Sequence, residues 1–294
     1  MDVFILVFVG LILLGLAGKL LDSTVGLGYG TFLAPMLLIL GFPVYRVVPA
    51  ILLSEFLSAG LTAVMHRAAG TVESHPDSRD FKVSGLLSLL GLVGAFAGVF
   101  LAAGTTPLFV VVYVSITVIV TGTLVVNGFA WTFSWPRLTM LGFVASMNKG
   151  LSGGGYGPLI AGGQILTGRE TKKALATTAV AESVTTSVSW LLYWQLGIVS
   201  VNPATMLQLD IPLVIGAVIS APISVYLVRR SKPRLLIPIV GITGVLLGVV
   251  TLMKTLFGNE VAIAVTVLTF FFLLVSVASA RYQRAMLKEE PITL

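Results

Sequence analysis

The chain has 294 residues, 56% of them hydrophobic and 10% charged, with a mean hydropathy of +1.03 and a formal net charge of +6. A soluble domain carries about 25% charged residues and a membrane span needs about 20 apolar ones, so nearly the whole chain is committed to a bilayer and no separate soluble domain fits. The excess of Lys and Arg then reads as cytoplasmic loop charge rather than a nucleic-acid surface, and the lack of cysteine excludes disulfides and thiolate metal sites.

The chain is apolar from Val3, but Asp2 stands where a signal peptide would carry basic residues, so the first run reads as a retained helix. Apolar runs follow at roughly 3–21, 30–41, 44–65, 83–103, 107–127, 137–148, 156–167, 173–196, 209–228, 235–253 and 261–280. Three are short. At 1.5 Å per residue, a twelve-residue helix covers about 18 Å and does not cross a 30 Å core. The pieces 137–148 and 156–167 therefore read as a re-entrant hairpin or one broken crossing. Basic residues gather in 66–82 (Arg67, Arg79, Lys82), at Arg137, in 229–234 (Arg229, Arg230, Lys232, Arg234) and in the tail (Arg281, Arg284, Lys288). Placing these in the cytoplasm gives a consistent alternation with the N-terminus outside and the C-terminus inside, and Lys254 as a minor exception. Trp131, Trp135, Trp190, Tyr193 and Trp194 fall near segment ends, as interfacial aromatics do.

A shift of 127 residues lays 22–72 on 149–199 without a gap. Gly26 meets Gly153, Gly28 meets Gly155, Tyr29 meets Tyr156, Gly30 meets Gly157, Glu55 meets Glu182 and Gly70 meets Gly197. The first copy ends at the basic 66–82 loop and the second at 195–208, which has no Lys or Arg. Equivalent units with opposite ends form an inverted repeat, and paired Gly/Pro-interrupted segments point to its binding site. The fold class is all-α: a polytopic integral membrane protein of two inverted-topology repeats with broken or re-entrant helices. The divisions are a first repeat over 1–130, a second over 131–256, and a final helix and cytoplasmic tail over 257–294.

The candidate site follows from the two breaks. Lys149, Ser152, Gly153, Gly154, Gly155, Tyr156 and Gly157, with Pro158 opening a helix, combine a cation, a hydroxyl and free backbone amides, which suits a small oxyanion. Gly28, Tyr29 and Gly30 form the matching first break. The competing reading gives the glycines to tight helix packing and pairs Lys149 with a carboxylate. Asp22 stands at the position of Lys149 in the first copy, so an Asp22–Lys149 pair is one option. Glu55 and Glu182 sit inside apolar runs, where a charge costs on the order of 2.5–3.5 kcal/mol. Each heads a polar stripe at i, i+3, i+7: Glu55, Ser58, Thr62 and Glu182, Thr185, Ser189. These glutamates read as proton carriers, cation ligands or partners of Lys149, against interhelical hydrogen bonding. Arg169, Lys172 and Lys173 read as a solvated loop. His66 and His75 lack metal-ligand spacing, so no metal and no cofactor are expected. No HExxH, nucleophile elbow or paired intramembrane aspartates point to an enzyme.

The paired Gly-x-Gly-Tyr-Gly-like breaks, half a chain apart and each followed by a proline and a polar-striped helix, resemble the sulfite exporter TauE/SafE (TSUP) permease family over roughly 10–280. The resemblance implies a plasma-membrane permease for small sulfur-containing anions: sulfite, sulfonates, sulfoacetate or thiosulfate. One departure is Gly26-Leu27-Gly28, where many members carry a Gly-Gly-Gly-type string. The function expected is secondary transport of such an oxyanion by alternating access with proton coupling open, and a passive anion channel as the alternative. Partners are the anion and the lipid bilayer, with no nucleic acid and a homodimer left open.

Overall fold

Unbroken apolar runs give long helices, and the chain turns where glycine or proline interrupts them. The computed structural model describes residues 2–26, 28–73, 75–127, 134–199, 202–230 and 236–270. Every element among these is helical: α1 (Asp2–Val25), α2 (Tyr29–Ile39), α3 (Val44–Ala68), α4 (Arg79–Ala103), α5 (Pro107–Asn127), α6 (Trp135–Ser152), a π-helical turn (Pro158–Gly162) running into the short α7 (Gly163–Leu166), α8 (Thr171–Gln195), α9 (Pro203–Gln208), α10 (Asp210–Arg230), α11 (Leu236–Phe257) and α12 (Asn259–Phe270). Five are long and apolar enough to cross a membrane: Phe4–Thr24, Val44–Ala68, Arg79–Ala103, Pro107–Leu124 and Asp210–Leu227. The protein is an all-α polytopic membrane protein.

Burial sorts the helices by what they face. α1, α4 and α12 present large apolar side chains outward, among them Leu6, Leu13, Leu89, Phe96 and Ile263, as lipid contact requires. α3 and α8 pack on each other in the interior. That position explains α8, which is 25 residues long but rich in Thr and Ser: Thr177, Thr185, Thr186 and Ser189 are fully buried. A helix shielded from lipid by protein need not be apolar. The main apolar core lies around Tyr29, Leu33, Leu37, Ile51, Leu151 and Tyr193.

The 127-residue spacing recurs in the backbone. Positive φ occurs at Gly26 (77°) and Gly153 (72°), Gly28 (79°) and Gly155 (80°), Gly41 (93°) and Gly168 (83°), and Gly70 (65°) and Gly197 (70°). Helix packing follows the same exchange: α1 lies on α10 as α6 lies on α4, and α3 contacts α10 as α8 contacts α4. Small residues let these pairs approach. A Cβ on Gly122 of α5 would meet Gly241 O at 2.7 Å, and one on Gly248 of α11 would meet Ser115 O at 2.8 Å, a reciprocal pair offset by 126.

Several sequence boundaries shift. The run 137–148 extends into the 18-residue α6, so Lys149 and Ser152 are helical and the break starts only at Gly153. Asp22 likewise belongs to α1, and the first break starts at Gly26. Both helices end through the same bond, Gly26 N–H to Asp22 O (2.7 Å) and Gly153 N–H to Lys149 O (2.9 Å). The segment after the second break opens as a π turn rather than an α-helix. Trp135 and Trp194 are exposed, whereas Tyr193 is buried and donates to Gly150 O (2.9 Å). Trp131, residues 231–235 and the basic tail lie outside the described residues.

Candidate functional site

Four helices bring five ionisable side chains to one buried place. Lys19 and Asp22 stand one turn apart on α1, Glu55 on α3, Lys149 on the last turn of α6 and Glu182 on α8; each is at most 6% exposed. Lys19 Nζ donates to Asp22 Oδ2 (2.6 Å) and lies 4.0 Å from Glu55. Lys149 forms ion pairs with Glu55 and with Glu182 Oε1 (3.0 Å). Asp22 also accepts from the Gly28 amide (3.0 Å). The arrangement is a chain, Asp22–Lys19–Glu55–Lys149–Glu182, with two cations against three carboxylates. Isolated buried charge is prohibitive, and close pairing is what permits these groups to persist.

Lys149 is fully buried between two glutamates, so it is not a free cation, and its partners are not Asp22. Lys19 takes the Asp22 contact instead. The sequence reading passed over Lys19 because it ends the first apolar run, where a lysine ordinarily snorkels to an interface. Its signal was the i, i+3 spacing to Asp22, which places both on one helix face. Carboxylate oxygens of Asp22, Glu55 and Glu182 lie within 4.8 Å of one another, a distance that would suit a cation, but the two ammonium groups already lie among them.

The breaks are interlocked with each other and beside this cluster. The Gly155 amide donates to Thr31 Oγ1 of the other break (2.8 Å), and the Gly154 amide to Ser152 Oγ (3.2 Å), which itself donates to Asn148 O (2.7 Å). Added methyl groups on Gly30 or Gly157 would strike the opposite break's backbone. With Gly28 and Gly153 also bonded, the amides of Gly28, Gly153, Gly154 and Gly155 are all taken in this conformation. Tyr29 and Tyr156 are fully buried in the two core clusters. Ser58 and Thr185 are buried too and donate to Glu55 O (3.4 Å) and Ala181 O (2.9 Å) on their own helices.

The α3 stripe runs further than expected. His66 extends Glu55, Ser58 and Thr62 by one more turn and is 1% exposed. Its counterpart after the 127 shift is Tyr193. A narrow cavity of about 20 Å³ reaches from Lys19, Asp22 and Glu182 past Thr62 and Thr178 to His66. That is room for about one water. The five charged side chains of the cluster are shielded almost completely from solvent.

Beside this cavity's wall, Arg169 is not solvated. It donates to Asp80 and to Gln164, with both charged side chains nearly buried. Gln164 donates to Thr178 (3.1 Å), and Lys173 holds Glu73 (2.6 Å). Lys173's counterpart after the 127 shift is Arg46, which donates to Thr205 O (2.8 Å) and Gln208 Oε1 (3.2 Å). The chain has no native cysteine, so Ala179→Cys, on the cavity wall, can report access. Arg169→Ala should speed its maleimide labelling at least threefold; an unchanged rate would show that the Arg169 contacts do not limit entry.

Similarity to known proteins bears on this geometry. The family described as Sulfite exporter TauE/SafE matches residues 11–251, which contain every residue of the charge cluster and both breaks. The chain belongs to this family. A Bacillus subtilis (strain 168) protein named "Probable membrane transporter protein YtnM" is 24% identical over 244 residues, covering 78% of this chain and 77% of its own. No solved structure matches the chain. This TauE/SafE member is a membrane transporter embedded through its apolar helices.

Proposed function

We propose that this TauE/SafE protein is a secondary transporter of small sulfur-containing anions, such as sulfite or organosulfonates, across the plasma membrane. The observation that carries the reading is the buried five-residue charge chain where two pseudo-equivalent helix breaks meet. Family membership supplies the substrate class, and the near-complete burial of the charge chain favours alternating access over a passive channel, which needs a continuous wet path. The two halves, 1–130 and 131–256, act as inverted-topology units that rock about the cluster, with the N-terminus outside.

Charge bookkeeping supports proton coupling. Two lysines balance only two of the three carboxylates, so an arriving anion adds to an existing negative excess. Protonation of Glu55 or Glu182 offsets it. Glu182→Gln in proteoliposomes should abolish sulfite accumulation driven by a pH gradient while leaving sulfite counterflow within about threefold. If Glu55→Gln and Glu182→Gln both retain pH-driven accumulation, the glutamates do not carry the proton. Trans-side sulfite accelerating uptake in the wild type marks a carrier; its absence, with fast passive flux, would mark a channel.

A further inference from the structure

We propose that the transported anion is held not at Lys149 but in the cavity between Lys19 and His66, with Ser23 and Thr62 beside it. This rests on the reading of the protein as a transporter of sulfur oxyanions. Two buried side chains on this cavity's wall, with three polar atoms between them, are left without partners. Ser23 Oγ is 8% exposed and unbonded; His66 is 1% exposed with both Nδ1 and Nε2 unbonded. Both line the same narrow cavity as Lys19. Leaving buried polar atoms unpaired is costly, and their convergence on one space is what a hydrogen-bonding ligand relieves.

Lys19 suits the role better than Lys149. Its one close acceptor is Asp22, and Glu55 lies at 4.0 Å, the limit of an ion pair. Lys149 has two close glutamates and does not line the cavity. Lys19 can turn from Asp22 to an oxyanion because Asp22 keeps the Gly28 amide as a donor. Thr62 donates to Ser58 O (2.7 Å), so its oxygen is free to face the cavity as an acceptor. That pattern fits a small oxyanion whose oxygens accept from Lys19, Ser23 and His66, with Thr62 able to accept from a substrate that also carries a hydroxyl or proton. The cavity must widen to admit it, and its wall of Thr178 and Ala179 on α8 is the part tied to Gln164 and Arg169.

Methanesulfonate is the probe, since it is inert to thiol reagents, and purified full-length protein is the sample. It should slow N-ethylmaleimide labelling of Ala179→Cys at least fivefold. Ser23→Ala and His66→Leu should each raise the concentration giving half-protection at least tenfold with unchanged thermal midpoints. Should either substitution impair folding, protection of Ala179→Cys alone decides. If calorimetry shows sulfite or methanesulfonate binding while Ala179→Cys is unprotected, or while both variants bind as the wild type, the site lies elsewhere and this placement is wrong. If no sulfur oxyanion binds the wild type at all, the substrate class of the proposed function fails, and this site fails with it.

Discussion

Lys149→Met should lower stability by about 3–5 kcal/mol, because it leaves Glu55 and Glu182 facing each other without a counter-charge. Both glutamates are buried, at 0% and 2% exposure, and neither has solvent to turn to. The nearest other cation is Lys19, 4.0 Å from Glu55 and already bonded to Asp22. The loss is of the partner rather than of a contact, so it should be reversible by removing one carboxylate. The double variant Lys149→Met/Glu55→Gln should recover at least half of the lost thermal midpoint in detergent. Equal midpoints for Lys149→Met and wild type would show that the ion pairs contribute little. A deficit in the double variant as large as in the single would show that Lys149 acts through packing. The rescue also separates roles: an anion-binding defect that persists in a re-stabilised double variant would belong to charge, not to folding.

Much of the architecture was legible in the sequence because it rests on one-dimensional signals. Hydropathy and length mark the long helices, and the Gly26/Gly28 and Gly153/Gly155 spacing marks both breaks, where only glycine adopts positive φ cheaply. Glu55 and Glu182 stood out because an intramembrane carboxylate needs a reason. Which cation answers which carboxylate was not legible. Asp22 and Lys149 occupy equivalent positions, which suggests a pair across the repeat, yet Lys19, one turn earlier on α1, takes the Asp22 contact at 2.6 Å. Helix ends were misjudged for a related reason: Lys149 and Gly150 look like the start of a loop, but α6 continues because Gly150 permits close packing on α4, with Ala95 O at 2.9 Å from where a Cβ would stand. His66 was read against metal spacing and so was missed as the last member of the α3 stripe. Arg169 was read as solvated because its partner Asp80 lies 89 residues away in sequence.

The ties flanking the cluster are unequal. On the side of the 69–78 loop, Arg169–Asp80 is a nearly buried ion pair backed by Lys173–Glu73. In the other half Arg46, the counterpart of Lys173, donates to the neutral oxygens of Thr205 and Gln208. All of these bonds have an ionised donor, but only those of Arg169 and Lys173 also meet an ionised acceptor. The tie at Arg169 and Lys173 is thus the one that holds charge against charge.

Gly30→Ala should be the most damaging single-methyl change among the described glycines, and Gly157→Ala should be strongly damaging at the other face of the same contact. A Cβ on Gly30 would overlap the Gly153 carbonyl, and one on Gly157 would stand 2.6 Å from Gly28 N and 3.0 Å from Gly26 O. Both obstacles are backbone, which cannot swing aside as a side chain can. Overpacking usually costs about 1–3 kcal/mol, and these sites should reach or pass the upper end, since relief requires separating the two breaks. Separation would also strain the bond from Gly155 N–H to Thr31 Oγ1 and shift Asp22 and Lys149, each one turn before its break. Gly60→Ala supplies the contrast. Gly60 lies within α3, and nothing stands within 4 Å of its added methyl, so alanine should stabilise by about 0.5–1 kcal/mol through helix propensity. Thermal unfolding and monodisperse yield of the three variants in one detergent test the idea. Wild-type midpoints for both Gly30→Ala and Gly157→Ala would mean that the breaks do not touch as described, and the charge chain they hold together would need another explanation.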